Sequence, residues 1–535
     1  MSLSSLHDRA VLFSLVLAVI CAAPQAVLAQ PEPPRLLVVV TIEQLRSDAL
    51  ERYASDFSTS GFRLLEQGAA VFPHCRYDVG VTLSAPSAAT VVSGAPPSQH
   101  GIVADAWLDH ATGRLVRASV VEGAPSPSRL VGSTLADELN LVTQGRARVV
   151  AVSGSAAPAV LLAGRRPRGV YWRGETGDFE TSAYYGGATP DWLTRFNAAR
   201  PGKLNAAGKV IAGPKVWRAL GADDSRPPLR SLEGDHARQL FESSPFAIDE
   251  LFSLASEAVL GESLGRSGEP DLLFINLAAP ARLALETGAQ SPLMRDLFAR
   301  LDRALARFLL ELDGALGMEQ VAVALVGLHG SPPQREDLKL AGIEGGSISG
   351  EEVALTMHQA LASEFGSEVG VERYVYPFVY LNEGARRATP ERRQRIIAAA
   401  GRAAMGVEGV VGYYSPHHST VGEEMTRRLS RSWREGRSGD LMLLYEPYRF
   451  ERYGDGRGIA FGSPYRYDSD TSLILFGKRF RTGVYEREID ASSIAPTLAA
   501  LLGISAPSST TGRILDEALL PSTDPSVGPP APPID

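Results

Sequence analysis

The stretch from Leu36 to Arg46, LLVVVTIEQLR, constrains the fold of this chain more than any other. Its first seven residues form a nearly unbroken apolar run, rich in Leu and Val, that is short for a helix and follows three prolines. Such a run is typical of a strand buried on both faces, as in a parallel sheet. Glu43 follows where this strand would end, at the sheet edge where α/β proteins collect their ligands. An acidic residue is equally typical of the first turn of a following helix, so both interpretations of Glu43 stay open.

Further buried-type strands alternate with helices along the chain. We expect strands at 146–153, 271–277, 319–326, 374–381, 440–445 and 472–476, and helices at 47–68, 246–264, 292–316, 350–365, 390–404 and 489–503. This alternation predicts the α/β class, with a large and mostly parallel central sheet covered by helices on both faces. Inserted segments are expected to form a cap or smaller lobe.

The two ends of the chain differ in composition from the rest. A polar start with Arg9, an apolar stretch over 10–23 and small residues up to Ala29 predict a signal peptide over 1–29, cleaved near Ala29. The apolar stretch is shorter than the roughly 20 residues that cross a bilayer. We therefore expect a periplasmic or secreted protein that keeps no membrane span after cleavage. The Pro-rich tail over 521–535 is expected to be disordered.

Between these ends the sequence predicts one large domain over 35–515. A stretch rich in Gly, Pro and charge near 200–240 indicates an insertion, and the segment near 345–440 indicates a lobe of its own. The net charge of −8 argues against a nucleic-acid partner, which would favour a basic face. We expect a monomer whose partner is a small molecule or another protein.

Three motifs allow a functional and a structural interpretation. The hydroxyl-rich segment from Thr82 to Gly94 would present Ser84 and Ser87 with free amides at a helix start, which favours anions, although such segments are also common in plain loops and caps. Aromatic residues crowd 171–197, where core packing is favoured over a pocket. The adjacent His417 and His418 are best interpreted as solvated loop residues rather than metal ligands.

Several segments line up in order with one superfamily. They are VVVTIEQLRSD (38–48), VTLSAPSAATVVSG (81–94), PPSQHGIVADAW (96–107), VYWRGETGDFETSAYYGGATPDWLTRFN (170–197), EPDLLFINL (269–277), GSPYRYD (462–468) and DASSIAPTLAALLGI (490–504). The chain resembles the alkaline phosphatase superfamily, most closely the periplasmic phosphate-irrepressible alkaline phosphatases near the type I phosphodiesterases and nucleotide pyrophosphatases. The resemblance implies phosphate-ester hydrolysis by two zinc ions roughly 4 Å apart and a covalent Thr or Ser nucleophile.

Four family positions keep residues with usable chemistry. The resemblance puts the nucleophile on Ser84 and the phosphate-binding Asn on Asp105. It puts two ligands of the second metal on Glu43, in place of an Asp, and on His329. These residues would line the floor of the cleft.

Four other ligand positions hold apolar residues. The family's remaining metal ligands fall on Ala281, Leu285, Leu328 and Phe461. A further family His falls on Asp470, and the Lys and Arg that hold phosphate fall on Ser155 and Ala157. Catalytic zinc usually takes three protein ligands, so the resemblance implies no metal here or a single weakly bound divalent ion.

The sequence therefore leaves three functions to weigh. The favoured one is a pseudoenzyme, or a relative with altered activity, that keeps a residual binding cleft. The alternative is an active phosphatase or phosphodiesterase that uses Ser84 as nucleophile with one metal. A scaffold in a secreted or envelope assembly is the third, and only the Pro-rich tail favours it.

Overall fold

Helices and strands alternate from Leu36 to Leu502. The strands are β1 (Leu36–Glu43), β2 (Ala69–Arg76), β3 (Ala106–Asp109), β4 (Arg114–Arg117), β5 (Val120–Val121), β6 (Ala124–Pro125), β7 (Val149–Ser153), β8 (Gly169–Arg173), β9 (Phe179–Glu180), β10 (Lys203–Leu204), β11 (Val210–Ala212), β12 (Val216–Trp217), β13 (Arg230–Ser231), β14 (Asp271–Leu277), β15 (Val321–His329), β16 (Gly346–Ile348), β17 (Val371–Val375), β18 (Phe378–Leu381), β19 (Val410–Ser415), β20 (His418–Ser419), β21 (Leu441–Tyr445), β22 (Arg449–Arg452), β23 (Gly458–Ile459), β24 (Asp470–Phe476), β25 (Gly483–Val484) and β26 (Ile489–Asp490).

The α-helices follow the same chain order. They are α1 (Ala49–Tyr53), α2 (Phe62–Gly68), α3 (Ser84–Ser93), α4 (Pro97–His100), α5 (Leu135–Val142), α6 (Ala156–Ala163), α7 (Asp191–Ala199), α8 (Ala237–Glu242), α9 (Pro245–Gly261), α10 (Ala279–Thr287), α11 (Pro292–Leu316), α12 (Arg335–Leu340), α13 (Gly350–Phe365), α14 (Glu383–Arg386), α15 (Pro390–Met405), α16 (Glu423–Ser432), α17 (Arg466–Ser469) and α18 (Ile494–Leu502). Short 3-10 turns lie at Ala54–Asp56, Ala183–Tyr185, Met318–Gln320, Ala491–Ser493 and Asp516–Ala518.

The computed structural model describes most of the chain between residues 32 and 520. The described ranges are 32–200, 203–204, 210–222, 229–234, 236–333, 335–452, 458–459 and 461–520. The expected signal peptide over 1–29 and the Pro-rich tail over 521–535 lie outside these ranges, as do parts of the insertion near 200–240. Within the ranges, no helix combines the length and the apolar composition that crossing a bilayer requires.

Strand β1 lies in the middle of a ten-stranded sheet. The strand order is β25-β2-β24-β15-β1-β14-β7-β8-β9, and β26 pairs with β2. Strands β15, β1, β14, β7 and β8 run parallel, whereas β24 and β9 run antiparallel to their neighbours. The predicted α/β fold with a large, mostly parallel sheet is therefore confirmed.

Both faces of β1 are buried, as the apolar run predicted. Leu37 and Val39 point into a core formed with α3, α5, α6 and α18, here called the α3-side core. Leu36, Val38 and Val40 point into a second core with α1, α2, α9 and α11. Successive side chains of a strand alternate between its faces, so a strand between two helical layers must be apolar at nearly every position.

The helix predicted over 47–68 is wrong as one element. The chain forms α1, a 3-10 turn and α2, with a break at residues 57–61 that is extended at Phe57 and turns over 59–61. Asp302, from α11, accepts hydrogen bonds from the backbone amides of Ser58 and Phe62, both at 2.7 Å. A carboxylate distant in sequence thus satisfies amides at the break, and local periodicity carries no sign of it.

Two other predicted elements need correction. The strand expected over 374–381 is a pair of antiparallel strands, β17 and β18, that turn at 376–377. The helix expected over 489–503 is confined to α18, because Ile489 and Asp490 pair with β2 as strand β26. In the first case the expected single strand is divided into two strands that pair with each other. In the second case the start of the expected helix pairs with β2 instead.

Residues near 345–445 have a sheet and a core of their own. Strands β17, β18, β21, β19 and β20 form an antiparallel sheet in that order, and α13 and α15 pack against it. The helices and strands enclose a separate hydrophobic cluster that includes Met357, Leu381, Ile396 and Leu443. In the described part of the insertion near 200–240, β10 pairs with β11 and β12 pairs with β13.

Candidate functional site

Glu43 is the last residue of β1 and not the first turn of a helix. Gln44, the next residue, has a φ of 68°, which turns the chain sharply out of the strand, and α1 begins only at Ala49. The pleat puts Glu43 on the side of Leu37 and Val39, which face the helix α3. Its buried carboxylate accepts a hydrogen bond from Ser84 Oγ at 3.0 Å. Glu43 therefore ends a strand and does not begin a helix.

Ser84 is the first residue of α3 and is half-buried. The backbone amide of Ala85, one residue later, donates a hydrogen bond of 2.8 Å to the Asp105 carboxylate. Asp105 therefore takes the helix N-terminal position that favours an anion. Ser87 does not share this surface, since it is buried with 1% of its area exposed.

His329 ends β15 and is the cross-strand partner of Glu43, after a one-residue register shift between Ile42 and Glu43. Its Nε2 atom lies 3.9 Å from Glu43 Oε2, which is ion-pair distance rather than hydrogen-bond distance. Its Nδ1 atom lies 2.8 Å from the carbonyl oxygen of Gly330. Since a carbonyl only accepts, Nδ1 carries the proton, and in the neutral ring Nε2 keeps a lone pair. That Nε2 atom is buried without a hydrogen-bond partner in the described structure.

An aromatic ring covers His329. The rings of Phe461 and His329 stack with centroids 4.1 Å apart and planes 13° from parallel. Phe461 also packs on the α3-side core, to which the buried Leu328 belongs. Phe461, to which the resemblance assigned a metal-ligand position, therefore continues the hydrophobic core up to the imidazole.

Asp468 is a site residue that the sequence analysis missed. It is buried with 1% of its surface exposed, and its Oδ2 accepts from the amide (2.9 Å) and the hydroxyl of Ser463. Its Oδ1, like His329 Nε2, has no hydrogen-bond partner in the described structure. Burial raises the pKa of Asp468 to about 7, although the bonds from Ser463 and the charge of His329 act in the opposite direction. In the sequence, the only sign of this residue was its place as the last residue of the segment GSPYRYD.

The other two carboxylates of the site shift in opposite directions. Burial would raise the pKa of Glu43, but His329, the Ser84 hydroxyl and the charge of Arg282 outweigh it, so the pKa is lowered. Desolvation by the surrounding protein atoms raises the pKa of Asp105, and the negative charge of Glu43 raises it further. The residue as a whole is nevertheless exposed to solvent.

The resemblance assigned two metal-ligand positions on α10 to Ala281 and Leu285, whose side chains carry no donor atoms. Ala281 is buried, and Leu285 is 45% exposed. Arg282, between them, forms an ion pair with Glu242. Asp470, to which the resemblance assigned the position of a further family His, forms ion pairs with Arg76 at 2.7 Å and Arg466 at 2.8 Å.

Two remaining motifs have structural roles. His417 and His418 are exposed at the β19–β20 turn, as predicted. In the aromatic block, Tyr171 and Trp192 are buried and both donate to Glu262, which confirms core packing for these two rings. Across the described ranges, no group of three or more His, Cys, Asp or Glu side chains is arranged to hold a metal ion.

Comparisons with known proteins agree with this fold. The family model for type I phosphodiesterase / nucleotide pyrophosphatase matches residues 37–448. A "Calcium-transporting ATPase" of Myroides odoratus is 27% identical, with 95% of this chain and 99% of that relative covered. The alkaline phosphatase PafA of Elizabethkingia meningoseptica is 26% identical, with 91% and 94% covered.

A solved structure carries the same fold. The crystal structure of wild-type alkaline phosphatase PafA superposes with a TM-score of 0.79 at 23% identity, over 91% of this chain and 99% of that one. The family model covers well over half of the sequence. The chain therefore belongs to the type I phosphodiesterase / nucleotide pyrophosphatase family of the alkaline phosphatase superfamily.

Proposed function

We propose that this chain has lost two-metal phosphate-ester hydrolysis and keeps a ligand-binding cleft around Glu43, Ser84 and Asp105. The observation that carries the proposal is the stack of Phe461 on His329, at 4.1 Å between ring centroids. A hydrocarbon ring occupies the space beside the one remaining histidine ligand. A metal ligand would have to present a nitrogen or oxygen there.

The donor chemistry supports the same conclusion. Catalytic zinc sites usually have three protein ligands and a water molecule. The residues that remain are Glu43 and His329, whereas Ala281, Leu285 and Phe461 offer no donor atom for the first zinc. The residues present therefore do not fit the pair of zinc ions that the family uses.

The electrostatics of the cleft also oppose phosphate. The Asp105 carboxylate accepts from the Ala85 amide, so a negative charge lies where the resemblance expects a phosphate oxygen. The positions of the family's phosphate-holding Lys and Arg are occupied by the neutral residues Ser155 and Ala157. Removing one such charge-stabilising group typically costs about 3 kcal/mol in the transition state.

The test is turnover of nitrophenyl phosphate and bis-nitrophenyl phosphate with added zinc or manganese. We expect the wild-type protein to show no activity above its Ser84→Ala variant, which keeps the fold but lacks the hydroxyl. Elemental analysis after dialysis is the matched measurement. Two tightly held zinc ions per chain, or turnover that depends on Ser84, would contradict the proposal.

A one-metal hydrolase is the second candidate, and a specific contact favours it. Ser84 Oγ donates to Glu43 Oε2 at 3.0 Å, and His329 Nε2 is buried without a hydrogen-bond partner in the described structure. A nucleophile beside a carboxylate and an imidazole is the remnant of a working arrangement. Ser84-dependent turnover with one metal ion per chain would support this candidate and exclude the first.

Export and a monomeric state belong to the same proposal. Cleavage near Ala29 would leave a mature chain that begins at Gln30, which N-terminal sequencing of the periplasmic or secreted fraction would detect. Light scattering after size-exclusion chromatography would give the mass of one chain. An uncleaved N-terminus or a dimer mass would contradict the respective part.

A further inference from the structure

Arginines line a groove at the amino-terminal edge of the central sheet. Arg148 directly precedes β7 and Arg168 directly precedes β8, and the Arg168 amide donates to the Val149 carbonyl at 2.7 Å. Because β1, β14, β7 and β8 are parallel, this edge is opposite to the one where Glu43 lies. The groove has a cavity volume of about 1000 Å³, and the arginines that line it are Arg146, Arg148, Arg165, Arg166 and Arg168.

The carboxylates of this groove already hold hydrogen-bond donors. Of the described residues that line it, Asp137 and Glu262 carry carboxylates. The Glu262 side chain is 5% exposed and accepts from the Tyr171 hydroxyl at 3.0 Å and from the Trp192 ring nitrogen at 2.9 Å. Asp137 accepts from the amide and from the guanidinium of Arg165, at 2.9 and 2.6 Å. Both negative charges are therefore engaged on the protein side of the groove.

The guanidinium groups, in contrast, reach solvent. The side chains of Arg146 and Arg168 are 58% and 64% exposed, although they pair with Glu269 at 2.8 Å and Glu262 at 2.9 Å. Arg166 is exposed, and among the described residues its guanidinium has no hydrogen-bond or ion-pair partner. The solvent side of the groove is therefore richer in cations than in carboxylates.

Helix ends explain only part of this arginine cluster. The helices α5 and α9 end at the groove, and the C-terminus of a helix favours a cation. Arg148 has that role, since it donates to the carbonyls of Glu262 at 3.0 Å and Ser263 at 2.6 Å, directly after α9. The side chain of Arg166 forms no such bond within the described structure, and its backbone carbonyl accepts from Asn140 of α5 at 2.9 Å. This contact holds Arg166 at the groove and leaves its guanidinium for a ligand.

We infer that the groove binds a small molecule with several phosphate or sulfate groups, at a site separate from the cleft around Glu43. A guanidinium fork binds an oxyanion through paired, charge-assisted hydrogen bonds. Several forks around one cavity suit a ligand that carries several such groups. The volume of the groove is in the range of small-molecule sites.

Other ligands fit these residues less well. The excess of guanidinium groups disfavours a metal ion or an amine. A nucleic acid would need a basic path along its backbone, whereas the chain has a net charge of −8 and these arginines surround one cavity. A single phosphate ion would contact only one or two of the arginines.

The test is calorimetric titration of the full-length chain after dialysis. The ligands are myo-inositol hexakisphosphate, myo-inositol hexasulfate and the neutral myo-inositol, which share one ring. We expect both polyanions to bind with a Kd of about 0.1 mM or lower, and myo-inositol to give no measurable heat. Binding of both polyanions, or of one alone, supports the inference and identifies which oxyanion the groove accepts. The hexasulfate has no phosphate ester, so its binding is independent of any phosphatase activity.

Variants link the binding to the groove. Arg146→Gln and Arg166→Gln should each raise the Kd about tenfold, the equivalent of one charge-assisted hydrogen bond. Arg166→Gln should leave the fold intact, because its guanidinium has no partner among the described residues. Arg395→Gln, at an exposed arginine of α15, removes the same charge elsewhere and should leave the Kd unchanged. Circular dichroism verifies the fold of each variant.

Several outcomes would overturn the inference. They are no heat from either polyanion, an unchanged Kd in both groove variants, or an equal loss of affinity in Arg395→Gln. A short single-stranded oligonucleotide that binds more tightly than the hexakisphosphate would refute the assignment to a small molecule. These outcomes are separate from the turnover assay, because the groove and Glu43 are at opposite edges of the sheet. Turnover that depends on Ser84 would refute the proposed function alone.

Discussion

Phe461 lies face to face on His329, with the two ring centroids 4.1 Å apart and their planes 13° from parallel. His329 is at the tip of β15, beside the strand that ends at Glu43. The contact joins the hydrophobic core directly to the polar end of the sheet. It also covers one face of the imidazole, which leaves the ring edge with Nε2 as the part that can bind a ligand.

Replacing this ring should change metal binding without creating catalysis. In Phe461→His a second imidazole would lie beside His329, and we expect the affinity for zinc to rise at least about tenfold, since each ligand adds to a site. Hydrolysis of nitrophenyl phosphate should stay absent because Ala281 and Leu285 still lack donors. Competition with a zinc-binding dye measures the affinity, and Phe461→Leu is the control that removes the ring without adding a ligand. Equal affinity in the two variants would count against this account of the site.

A buried ion-pair cluster should be important for stability. Glu250 pairs with Arg173 and with Arg200 (3.1 Å), and all three side chains are buried. In Glu250→Gln the two guanidinium groups would lose their shared negative partner, so we expect the free energy of unfolding to fall by about 3 kcal/mol or more. Urea denaturation measures this loss. Asp178→Asn, at the 57% exposed partner of Arg200, should cost less than about 1 kcal/mol.

Asp302 should hold the break between α1 and α2. Asp302→Ala would leave the amides of Ser58 and Phe62 without the carboxylate that now accepts from both. We expect a loss of about 3 kcal/mol in the free energy of unfolding, because hydrogen bonds to a charged group are among the stronger ones. Asp313→Ala is the matched control on the same helix, since the exposed Asp313 accepts from one amide, that of Met318. A similar loss in both variants would contradict the role of Asp302.

Glu451 should make stability depend on pH. Burial raises its pKa from 4.5 to about 7, although hydrogen bonds from the Gly350 amide and the Tyr374 hydroxyl act in the opposite direction. A carboxyl with a raised pKa in the folded state binds its proton more tightly there. Its contribution to stability is therefore complete below about pH 4.5 and is lost as the pH rises through about 7. The loss amounts to about 3 kcal/mol for a shift of this size.

The variant Glu451→Gln should remove this dependence. We expect the difference in unfolding free energy between pH 4.5 and pH 8 to be smaller in the variant by about 3 kcal/mol. Urea denaturation at several pH values gives the two curves. Glu364→Gln, at an exposed carboxylate of α13, should follow the wild-type curve. Parallel curves for Glu451→Gln and the wild type would show that Glu451 titrates at its ordinary pKa.

The sequence predicted the sheet better than the helices near it. Strands such as Asp271–Leu277 are apolar at almost every position because both faces are buried, so composition alone identifies them. The break at 57–61 depends on Asp302, more than 240 residues away, and no local pattern contains that information.

At the site, the resemblance brought Glu43, Ser84, Asp105 and His329 to attention, and the first two are in hydrogen-bond contact. The prediction that Ser87 is presented together with Ser84 was wrong, because the helical turn buries the Ser87 side chain. Asp468 was missed because a single acidic residue in the one-turn helix α17 shows no periodicity, and its importance comes from burial near His329.

The sequence by itself determined the alternation of buried strands and helices, and with it the parallel sheet, but it left open whether Glu43 ends a strand or begins a helix. Hydrophobic burial acts on each element separately, so each element carries its own signature. Only the tertiary structure decided what lies around Glu43: the hydroxyl of Ser84 at 3.0 Å, His329 at 3.9 Å and the ring of Phe461 above it. These contacts join residues up to hundreds of positions apart, and their chemistry depends on distances and burial that arise only when the sheet, α3 and the loop of Phe461 pack together.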